Sequence, residues 1–290
     1  MAGSPHEGLA ARNEEPVSDE KPPLLVVKLG GAEGLDIDGA CADLAGLARP
    51  PIRTVVVHGG SADATALGEA LGRPARMLTS PSGFVWRYTD RAALETFTMA
   101  VNGKRNTLLV ERLQAHGVNA LGLCGLDGRL MIAAHKTAVQ SVEGGRRRVI
   151  RDDFTGKVER VNDGLLWLLL EADYLPVIAP LALSTDGFAV NVDADRAAAK
   201  IAAALEADTL LLLTAAPGLL SAFPDQATLI ADLPRGRLDE AREFAQGRMK
   251  KKILGAREAL AGGVGRVIIA DGRRPRPISD ALAGMGTTIQ

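Results

Sequence analysis

Two Gly-Gly pairs each follow a short apolar segment within the first sixty residues. Leu24–Leu29 (LLVVKL) precedes Gly30-Gly31, and residues 54–58 (TVVVH) precede Gly59-Gly60. Glycine lets a backbone approach an anion closely, and the N-terminus of a following helix adds N–H donors and the positive end of the helix dipole. One such pair also suits an ordinary strand–helix turn, but two pairs in consecutive units predict the two walls of one phosphate-binding site.

Charged residues in unusual positions accompany these glycines. Lys28 lies inside the first apolar segment, where a lysine is rarely buried without a partner, and it should reach the mouth of the phosphate site. Asp195 lies in the first turn of an alanine-rich helix capped by Asp193, where it can hold ammonium groups. Residues 247–252 (GRMKKK) begin another helix, where cations oppose the helix dipole unless an anion binds there. The alternatives are an ion-paired edge lysine for Lys28, ordinary helix capping for the carboxylates at Asp193 and Asp195, and a solvated charge run for residues 247–252.

Together these features predict phosphoryl transfer from a nucleotide. That reaction depends on positioning and on neutralising the charge of the transferring group, so no protein nucleophile is needed. Lysines from two sides, glycine amides, an organising aspartate and Mg²⁺ brought with ATP would suffice. No G-x-G-x-x-G follows a predicted strand and no G-x-x-x-x-G-K-[ST] occurs, which disfavours a Rossmann dehydrogenase and a P-loop enzyme.

Short apolar segments alternate with alanine-rich segments along most of the 290 residues. This pattern predicts an α/β protein with three layers and a central, mostly parallel sheet. Further strands are predicted at residues 118–124, 175–179, 209–214 and 266–270, and helices at residues 61–71, 90–117, 161–171, 193–207 and 247–261. Residues 131–150 instead predict an exposed β-hairpin of two polar strands, with its turn at Glu143-Gly144-Gly145.

The composition excludes several classes of protein. A net charge of -1 and an aromatic content of 3% give no support for binding to nucleic acid or membranes. Cys41 and Cys124 are too far apart in sequence for a metal-binding pair, and the histidines lack ligand spacing, so no disulfide and no metal site is predicted. The acidic N-terminus has no signal-peptide core and no apolar run is long enough to span a bilayer, which predicts a cytoplasmic protein.

In this order, the glycine pairs, the lysines and the aspartate resemble the amino acid kinase family, and within it the N-acetylglutamate kinases and their lysine-pathway relatives. The resemblance extends from Val26 to Asp271. It implies that Lys28 and Lys252 stabilise the transferring phosphoryl group and that Asp195 organises them. The residues that it implies for the acceptor substrate are Gly59, Gly60, Ser61, Arg87 and Asn191. The residues that it implies for the phosphates and the nucleotide are Gly30, Gly31, Thr214, Gly218, Pro224, Asp225, Gly247 and Met249.

Departures from the acetylglutamate kinases concern the acceptor. Ser61 follows the second glycine pair where those kinases usually have a third glycine. Residues 82–90, 122–128 and 151–156 are more similar to kinases that act on 2-aminoadipate attached to the amino-group carrier protein LysW. That resemblance implies an acidic carrier and a basic docking surface on the kinase, and the alternative is a solvated polar strand. The candidates for docking are Arg146, Arg147, Arg148 and Arg151.

The resemblance implies MgATP-dependent phosphorylation of the side-chain carboxylate of carrier-linked 2-aminoadipate in lysine biosynthesis, with glutamate on the same carrier as an open second acceptor. The alternatives are an N-acetylglutamate kinase of arginine biosynthesis and a non-catalytic sensor with the same fold. We expect a disordered leader over residues 1–22, a substrate-binding lobe over 23–185 and an ATP-binding lobe over 186–290, in a homodimer. His58 is predicted to be a structural turn residue, because a carboxylate acceptor needs no general base at neutral pH.

Overall fold

The structure is a computed structural model, and it describes residues 22–31, 34–47 and 52–290. Apart from Pro22, the predicted leader lies outside the described residues, as do Pro50 and Pro51, where the sequence predicts the end of the first helix. The strands are β1 (Leu24–Leu29), β2 (Arg53–His58), β3 (Met77–Thr79), β4 (Val85–Arg87), β5 (Ala120–Gly125), β6 (Met131–His135), β7 (Val139–Glu143), β8 (Arg146–Ile150), β9 (Thr155–Val161), β10 (Leu175–Ser184), β11 (Ala189–Val192), β12 (Thr209–Thr214), β13 (Asp232–Leu233), β14 (Arg266–Asp271) and β15 (Thr287–Ile289). The α-helices are α1 (Ile37–Leu47), α2 (Ser61–Ala70), α3 (Arg91–Thr98), α4 (Thr107–Ala115), α5 (Asp163–Glu171), α6 (Ala194–Ala204), α7 (Leu238–Phe244), α8 (Met249–Ala261) and α9 (Pro277–Leu282).

Eleven of these strands form one sheet, whose centre is parallel. The order β10-β2-β1-β12-β14 is parallel throughout, and antiparallel pairs occur towards both edges. Parallel central strands are buried on both faces and therefore consist almost entirely of apolar residues, as β1 and β12 do. Their carboxyl ends lie side by side at one edge of the sheet.

Helices cover both faces of this sheet. Val26 and Leu212 pack on one face with apolar residues of α6 and α8. Val27 and Leu213 pack on the other face with residues of α1, α4 and α9. Because side chains alternate between faces along a strand, each central strand contributes to both cores. The predicted three-layer α/β fold with a mostly parallel sheet is therefore confirmed.

The predicted hairpin is wrong in part. Residues 131–135 are not polar hairpin residues but strand β6 of the main sheet, where Met131 and Ala133 are fully buried. The exposed hairpin consists of β7 and β8 alone, and its turn at Gly144-Gly145 has positive φ at both glycines (55° and 76°). The turn itself was therefore predicted at the right residues.

Two other segments differ from the predicted elements. The helix predicted over residues 90–117 is helical from Arg91 to Ala115, but a π-helical segment, Met99–Asn106, separates α3 from α4. The helix predicted to start at Val161 starts at Asp163, because Val161 ends strand β9 and Asn162 caps the helix through a hydrogen bond from the Leu165 N–H.

The lobe boundary at residues 185–186 stays a prediction. Strands β10 and β11 pair antiparallel across it, so the backbone hydrogen bonds of the sheet continue from one predicted lobe into the other.

Cys41 and Cys124 are both buried and free. Within residues 22–31, 34–47 and 52–290, no helix combines the length and apolar character that crossing a bilayer requires.

Candidate active site

The two glycine pairs meet at the carboxyl ends of β1 and β2. A Cβ atom added to Gly31 would lie 2.4 Å from the Gly60 nitrogen, and one added to Gly59 would lie 2.7 Å from the Gly31 nitrogen. The Gly31 carbonyl accepts hydrogen bonds from the Ala62 N–H and from the Ser61 hydroxyl, each at 3.0 Å. The loops thus form two adjoining walls, which only residues without a side chain can form at Gly31 and Gly59.

Lys28, Asp195 and Lys252 form a buried cluster beside these loops. The Lys28 Nζ lies 2.6 Å from Asp195 Oδ1, and the Lys252 Nζ lies 3.0 Å from Asp195 Oδ2. The three residues come from the end of β1, the first turn of α6 and the first turn of α8, and none is more than 7% exposed. Asp193 fixes the start of α6 because its carboxylate accepts hydrogen bonds from the Asp195 and Arg196 N–H groups.

The charges of this cluster do not balance. Burial acts to raise the pKa of Asp195, but the ammonium groups of Lys28 and Lys252 hold it well below its usual range. Burial lowers the pKa of Lys28, against the opposing effect of Asp195. With both lysines protonated, two positive charges face one negative charge. A buried excess charge is unfavourable unless a partner neutralises it, so the cluster is suited to receive an anion.

Helix α8 is held against α6 by contacts that the sequence did not reveal. Arg196 of α6 donates to both carboxylate oxygens of Glu258 of α8, at 2.9 and 2.5 Å. Gly255 permits the close approach, since a Cβ atom there would lie 3.2 Å from the Asp195 carbonyl oxygen. Lys251 pairs with Asp193 at 3.2 Å. These contacts position the first turn of α8, and with it Lys252.

The cationic run at the start of α8 is divided between two roles. Lys251 pairs with Asp193, the cap of α6, and Lys252 pairs with Asp195 in its first turn, whereas Lys250 is exposed. Gly247 has a φ of 51°, and Met249 packs against the core formed by α6 and α8. Of the three lysines, Lys252 is therefore the candidate for binding an anion, and Lys250 is a solvated charge.

The predicted substrate residues lie on the other side of the glycine loops. The Arg87 guanidinium donates to the Ser61 carbonyl at 2.9 Å and to the Thr65 hydroxyl at 2.7 Å. Asn191 donates to the Thr89 hydroxyl at 3.2 Å, and that hydroxyl donates to the Arg87 carbonyl at 3.0 Å. Burial lowers the pKa of Arg87, and no carboxylate of the described residues pairs with it. A half-buried guanidinium in this state is suited to bind a carboxylate.

Asp153 supports this side of the site, and sequence reasoning assigned it no role. Its carboxylate accepts hydrogen bonds from the Trp86 indole at 2.6 Å and from the Thr89 N–H at 3.3 Å. Asp153 is 2% exposed, and burial raises its pKa. The only signal in the sequence was its place in the segment 151–156, which already resembled the carrier-dependent kinases.

A cavity of about 400 Å³ adjoins Arg87 and is lined by residues of α2, β4 and α3 and by the segment that follows α2. Its basic residues are Arg73, Arg76 and Arg87, and its acid, Asp90, accepts the Ala93 N–H as the cap of α3. Arg76 also pairs at 2.6 Å with Glu143 at the tip of the β7–β8 hairpin. Arg76 therefore joins the tip of the hairpin to a cavity that Arg87 also lines.

The predicted nucleotide residues lie in loops after β12. Thr214 ends that strand, and Gly218 packs so closely that an added Cβ atom would lie 2.6 Å from the Thr287 hydroxyl. Pro224 and Asp225 are exposed, and the Asp225 carboxylate accepts the Ala227 N–H within its own loop. Only Thr214 is thus seen at the end of a central strand, and the role of all four residues in binding a nucleotide stays a prediction.

His58 is fully buried at the end of β2, and both ring nitrogens are engaged. Its Nδ1 lies 2.9 Å from the Gly59 carbonyl and its Nε2 lies 3.0 Å from the Asn106 amide nitrogen. Burial lowers its pKa to about 4. The geometry matches the predicted structural role, with a neutral ring that donates from Nδ1 and accepts at Nε2.

His58 is expected to make the folded protein less stable as the pH falls from about 6.5 to about 4. The unfolded chain takes up a proton in this window and the folded chain does not, so the free energy of unfolding should fall by up to about 3 kcal/mol. The check is an NMR titration of the histidine ring protons together with urea denaturation at pH 7 and pH 4.5. An imidazole in the folded protein that titrates near pH 6.5 and is assigned to His58 would contradict the prediction.

Comparison with known proteins places this geometry in a family. Residues 23–271 match the family model described as the amino acid kinase family, and the protein belongs to that family. A LysW-aminoadipate kinase from Deinococcus radiodurans is 55% identical over 92% of this chain and 91% of its own length. A LysW-aminoadipate kinase from Thermus thermophilus is 48% identical over 92% of this chain and its whole length.

A solved structure supports the fold. The N-acetylglutamate synthase from Neisseria gonorrhoeae, complexed with coenzyme A and N-acetyl-glutamate, superposes with a TM-score of 0.75 at 26% identity, over 93% of this chain and 59% of that one. These findings confirm the predicted family and fold. They also confirm the prediction of an enzyme, a kinase that uses ATP.

Proposed function

We propose that the protein transfers the γ-phosphate of ATP to the side-chain carboxylate of 2-aminoadipate whose α-amino group is attached to a LysW-like carrier protein, in lysine biosynthesis. Glutamate on the same carrier is a second acceptor. The observation that carries the proposal is the 55% identity to a kinase of that name over nearly the full length of both chains. The buried Lys28–Asp195–Lys252 cluster supports it, because it contains the charges that the reaction needs.

The site residues have distinct roles in this reaction. An oxygen of the substrate carboxylate forms a bond to the γ-phosphorus while the bond from that phosphorus to the β,γ-bridging oxygen breaks, and ADP leaves. Lys28 and Lys252 neutralise the charge of the transferring group from two sides, and Asp195 holds both ammonium groups in place. The carboxylate is ionised at neutral pH, so the reaction needs no protein base, which agrees with a neutral His58.

The glycine loops fit the phosphates of ATP. The two loops pack backbone against backbone at Gly31 and Gly59, and a Cβ atom at either residue would push them apart. Mg²⁺ that arrives with the nucleotide would share the charge of the phosphates. The helix that follows Gly60, α2, adds the positive end of its dipole to this side of the site.

Arg87 and the adjoining cavity support an acceptor that is attached to a carrier. Arg87 would bind the α-carboxylate of the amino acid, and Asn191 would hold the backbone of that subsite through Thr89. Because the α-amino group is joined to the carrier, the acceptor needs a passage to the surface. The cavity lined by Arg73 and Arg76 offers such a passage, and its charge suits an acidic chain.

The β7–β8 hairpin supplies the docking surface in this proposal. Arg146, Arg147 and Arg151 are exposed and have no ion pair within the described part of the chain, and Arg148 lies 3.6 Å from Glu143. Glu143 is shared with Arg76, which links the hairpin to the cavity. Exposed unpaired cations next to a substrate channel attract an acidic partner and raise its rate of association.

The proposed function is tested by trapping the acyl phosphate as a hydroxamate. Carrier-linked aminoadipate, carrier-linked glutamate and free N-acetylglutamate are compared with MgATP present. We expect turnover of carrier-linked aminoadipate and at least 10²-fold lower kcat/KM for free N-acetylglutamate, because binding energy from the carrier is lost. Efficient turnover of free N-acetylglutamate without the carrier would instead assign the protein to arginine biosynthesis.

Replacing Arg146, Arg147 and Arg148 together with alanine is expected to raise the KM for the carrier-linked acceptor by about 10-fold at low salt. The value of kcat should change little, since these side chains lie outside the reacting centre. The difference from the unchanged protein should shrink as salt increases, because exposed charges are screened. The control replaces Arg237, Arg242 and Arg257, which are exposed in the C-terminal part of the chain, with alanine. Equal effects of the two triple variants would show that the hairpin is not the docking surface.

The homodimer and the cytoplasmic location stay predictions. The homodimer rests on the resemblance to other members of the family. The cytoplasmic location agrees with the function of a biosynthetic kinase.

A further inference from the structure

The π-helical segment Met99–Asn106 lies against the glycine loops. A π-helical turn contains more residues than an α-helical turn, so it changes which side chains of a long helix face a given direction, and such segments are frequent at functional sites. Here two consecutive residues at its end, Arg105 and Asn106, both reach the carboxyl ends of central strands. The proposed transfer of phosphate assigns no role to Arg105.

Arg105 binds two groups next to the phosphate-binding loops. Its Nη1 donates to Asp63 Oδ2 at 2.9 Å, and its Nη2 donates to the Gly30 carbonyl at 3.2 Å. The Arg105 side chain is only 15% exposed, whereas Lys104, which also pairs with Asp63 at 3.2 Å, is 62% exposed. Arg105 is therefore a largely shielded side-chain connection between Gly30 and α2, in addition to the bonds from Ser61 and Ala62 to the Gly31 carbonyl.

The bond to Gly30 sets the direction of an amide. Gly30 C=O and Gly31 N–H belong to one planar trans peptide group and point in opposite directions. The guanidinium that holds the carbonyl on one side therefore orients the Gly31 N–H on the other. Glycine has no side chain that would restrict this peptide group, so an external contact is needed to fix it.

The bond to Asp63 removes a charge that would oppose phosphate binding. Asp63 lies in the first turn of α2, next to the loop formed by Gly59 and Gly60. Burial acts to raise its pKa, but the hydrogen bonds and charges of Arg105 and Lys104 lower it, so the carboxylate stays ionised. Without Arg105, a carboxylate close to the phosphates would be only partly neutralised, by the exposed Lys104.

We propose that Arg105 is a positioning residue for nucleotide phosphate, which orients the Gly31 amide and neutralises Asp63. The proposal rests on the ATP site proposed above. Asn106 supports the second glycine pair in parallel, since its amide donates to His58 and to the Val177 carbonyl at 2.9 Å. The π-helical segment thus contacts the first glycine loop through Arg105 and, through Asn106, the His58 ring that precedes the second.

The test measures the affinity for a non-hydrolysable Mg-ATP analogue by calorimetry, in the absence of any acceptor. Arg105→Met is expected to weaken binding by at least 10-fold. The double variant Arg105→Met, Asp63→Asn should bind the analogue at least threefold more tightly than Arg105→Met alone, because it lacks the poorly neutralised carboxylate. A merely structural role predicts that the double variant, which has lost both partners, binds no better than Arg105→Met. Arg112→Met, at an exposed arginine of α4 paired with Asp38, is the matched control and should bind like the unchanged protein.

Unchanged affinity in Arg105→Met, or no recovery in the double variant, would overturn the proposal. The melting temperature of each variant is measured alongside. If Arg105→Met does not fold, Arg105→Lys is measured instead. Its single ammonium group can pair with Asp63 but cannot also hold the Gly30 carbonyl, so the affinity for the ATP analogue should fall at least threefold. Because the assay contains no acceptor, a failure of the unchanged protein to phosphorylate carrier-linked aminoadipate would refute the proposed acceptor without affecting this result.

Discussion

Lys28→Ala and Lys252→Ala are each expected to lower turnover by about 10²-fold or more while ATP still binds. Both ammonium groups contact Asp195 from opposite sides in a region closed to water, where a charge stabilises a transition state far better than it does in solvent. Steady-state kinetics with carrier-linked aminoadipate give kcat, and calorimetry with the ATP analogue gives the affinity. Turnover that stays within threefold of the unchanged protein would remove the mechanism proposed here.

These variants should keep the fold, which makes the kinetic result interpretable. Either substitution removes the excess positive charge and leaves one ammonium group paired with Asp195. Asp195→Ala would instead leave two buried ammonium groups without a carboxylate, and it is the variant in which loss of stability is expected. The matched control is Lys250→Ala, two residues before Lys252 on the same helix, where the side chain is exposed. A loss of turnover in Lys250→Ala equal to that in Lys252→Ala would point to a general effect of charge at the start of α8.

The central part of the fold and the reacting cluster were accessible from the sequence because each has a local signal. β1 and β12 are continuous apolar runs, as buried parallel strands must be, and Lys28 stands out because it interrupts one of them. Asp195 lies directly after a capping residue. Such signals depend on neighbours in the chain, which the sequence shows directly.

The supporting contacts were missed because they join residues that are distant in the chain. Arg196 and Glu258 are 62 residues apart and Asp153 lies 67 residues from Trp86. Neither pair has a pattern that distinguishes it from surface charges. Strand β9 was missed for a different reason: its register shifts beside Val158, so Glu159 and Arg160 are both exposed and the polar–apolar alternation that indicates a strand is broken.

The π-helical segment could not be predicted at all from the periodicity of residues 90–117. Apolar residues at helical spacing predict one continuous α-helix. A π-helical segment in the middle does not alter that spacing in the α-helical parts on either side, so the sequence does not show it. Its effect is visible only in three dimensions, where Arg105 contacts the first glycine loop and Asn106 contacts His58 at the end of β2. Lys28 and Lys252, whose charges face the proposed phosphate site, could thus be predicted from the sequence, whereas Arg105 and Asn106, which make these contacts, could not.

Gly31→Ala is expected to lower both nucleotide affinity and turnover, the latter by about 10²-fold, because displacement of reacting groups by about 1 Å has effects of this size. The new Cβ atom would lie 2.4 Å from the Gly60 nitrogen and 2.7 Å from the Gly59 carbonyl carbon, both backbone atoms that no side-chain rotation can clear. The two loops must therefore separate, and unfolding should become easier by about 1–3 kcal/mol.

The control for Gly31→Ala is Gly46→Ala in α1, where the position of an added Cβ atom has no neighbour within 4 Å among the described residues. Alanine there should leave activity unchanged and stabilise the protein by about 0.5–1 kcal/mol, since glycine inside a helix is unfavourable. Calorimetry with the ATP analogue, kinetics and urea denaturation are compared for both variants. If Gly31→Ala lost stability but bound the analogue as tightly as the unchanged protein, contact between the two loops would serve only the packing of the sheet, and the phosphates would have to bind elsewhere.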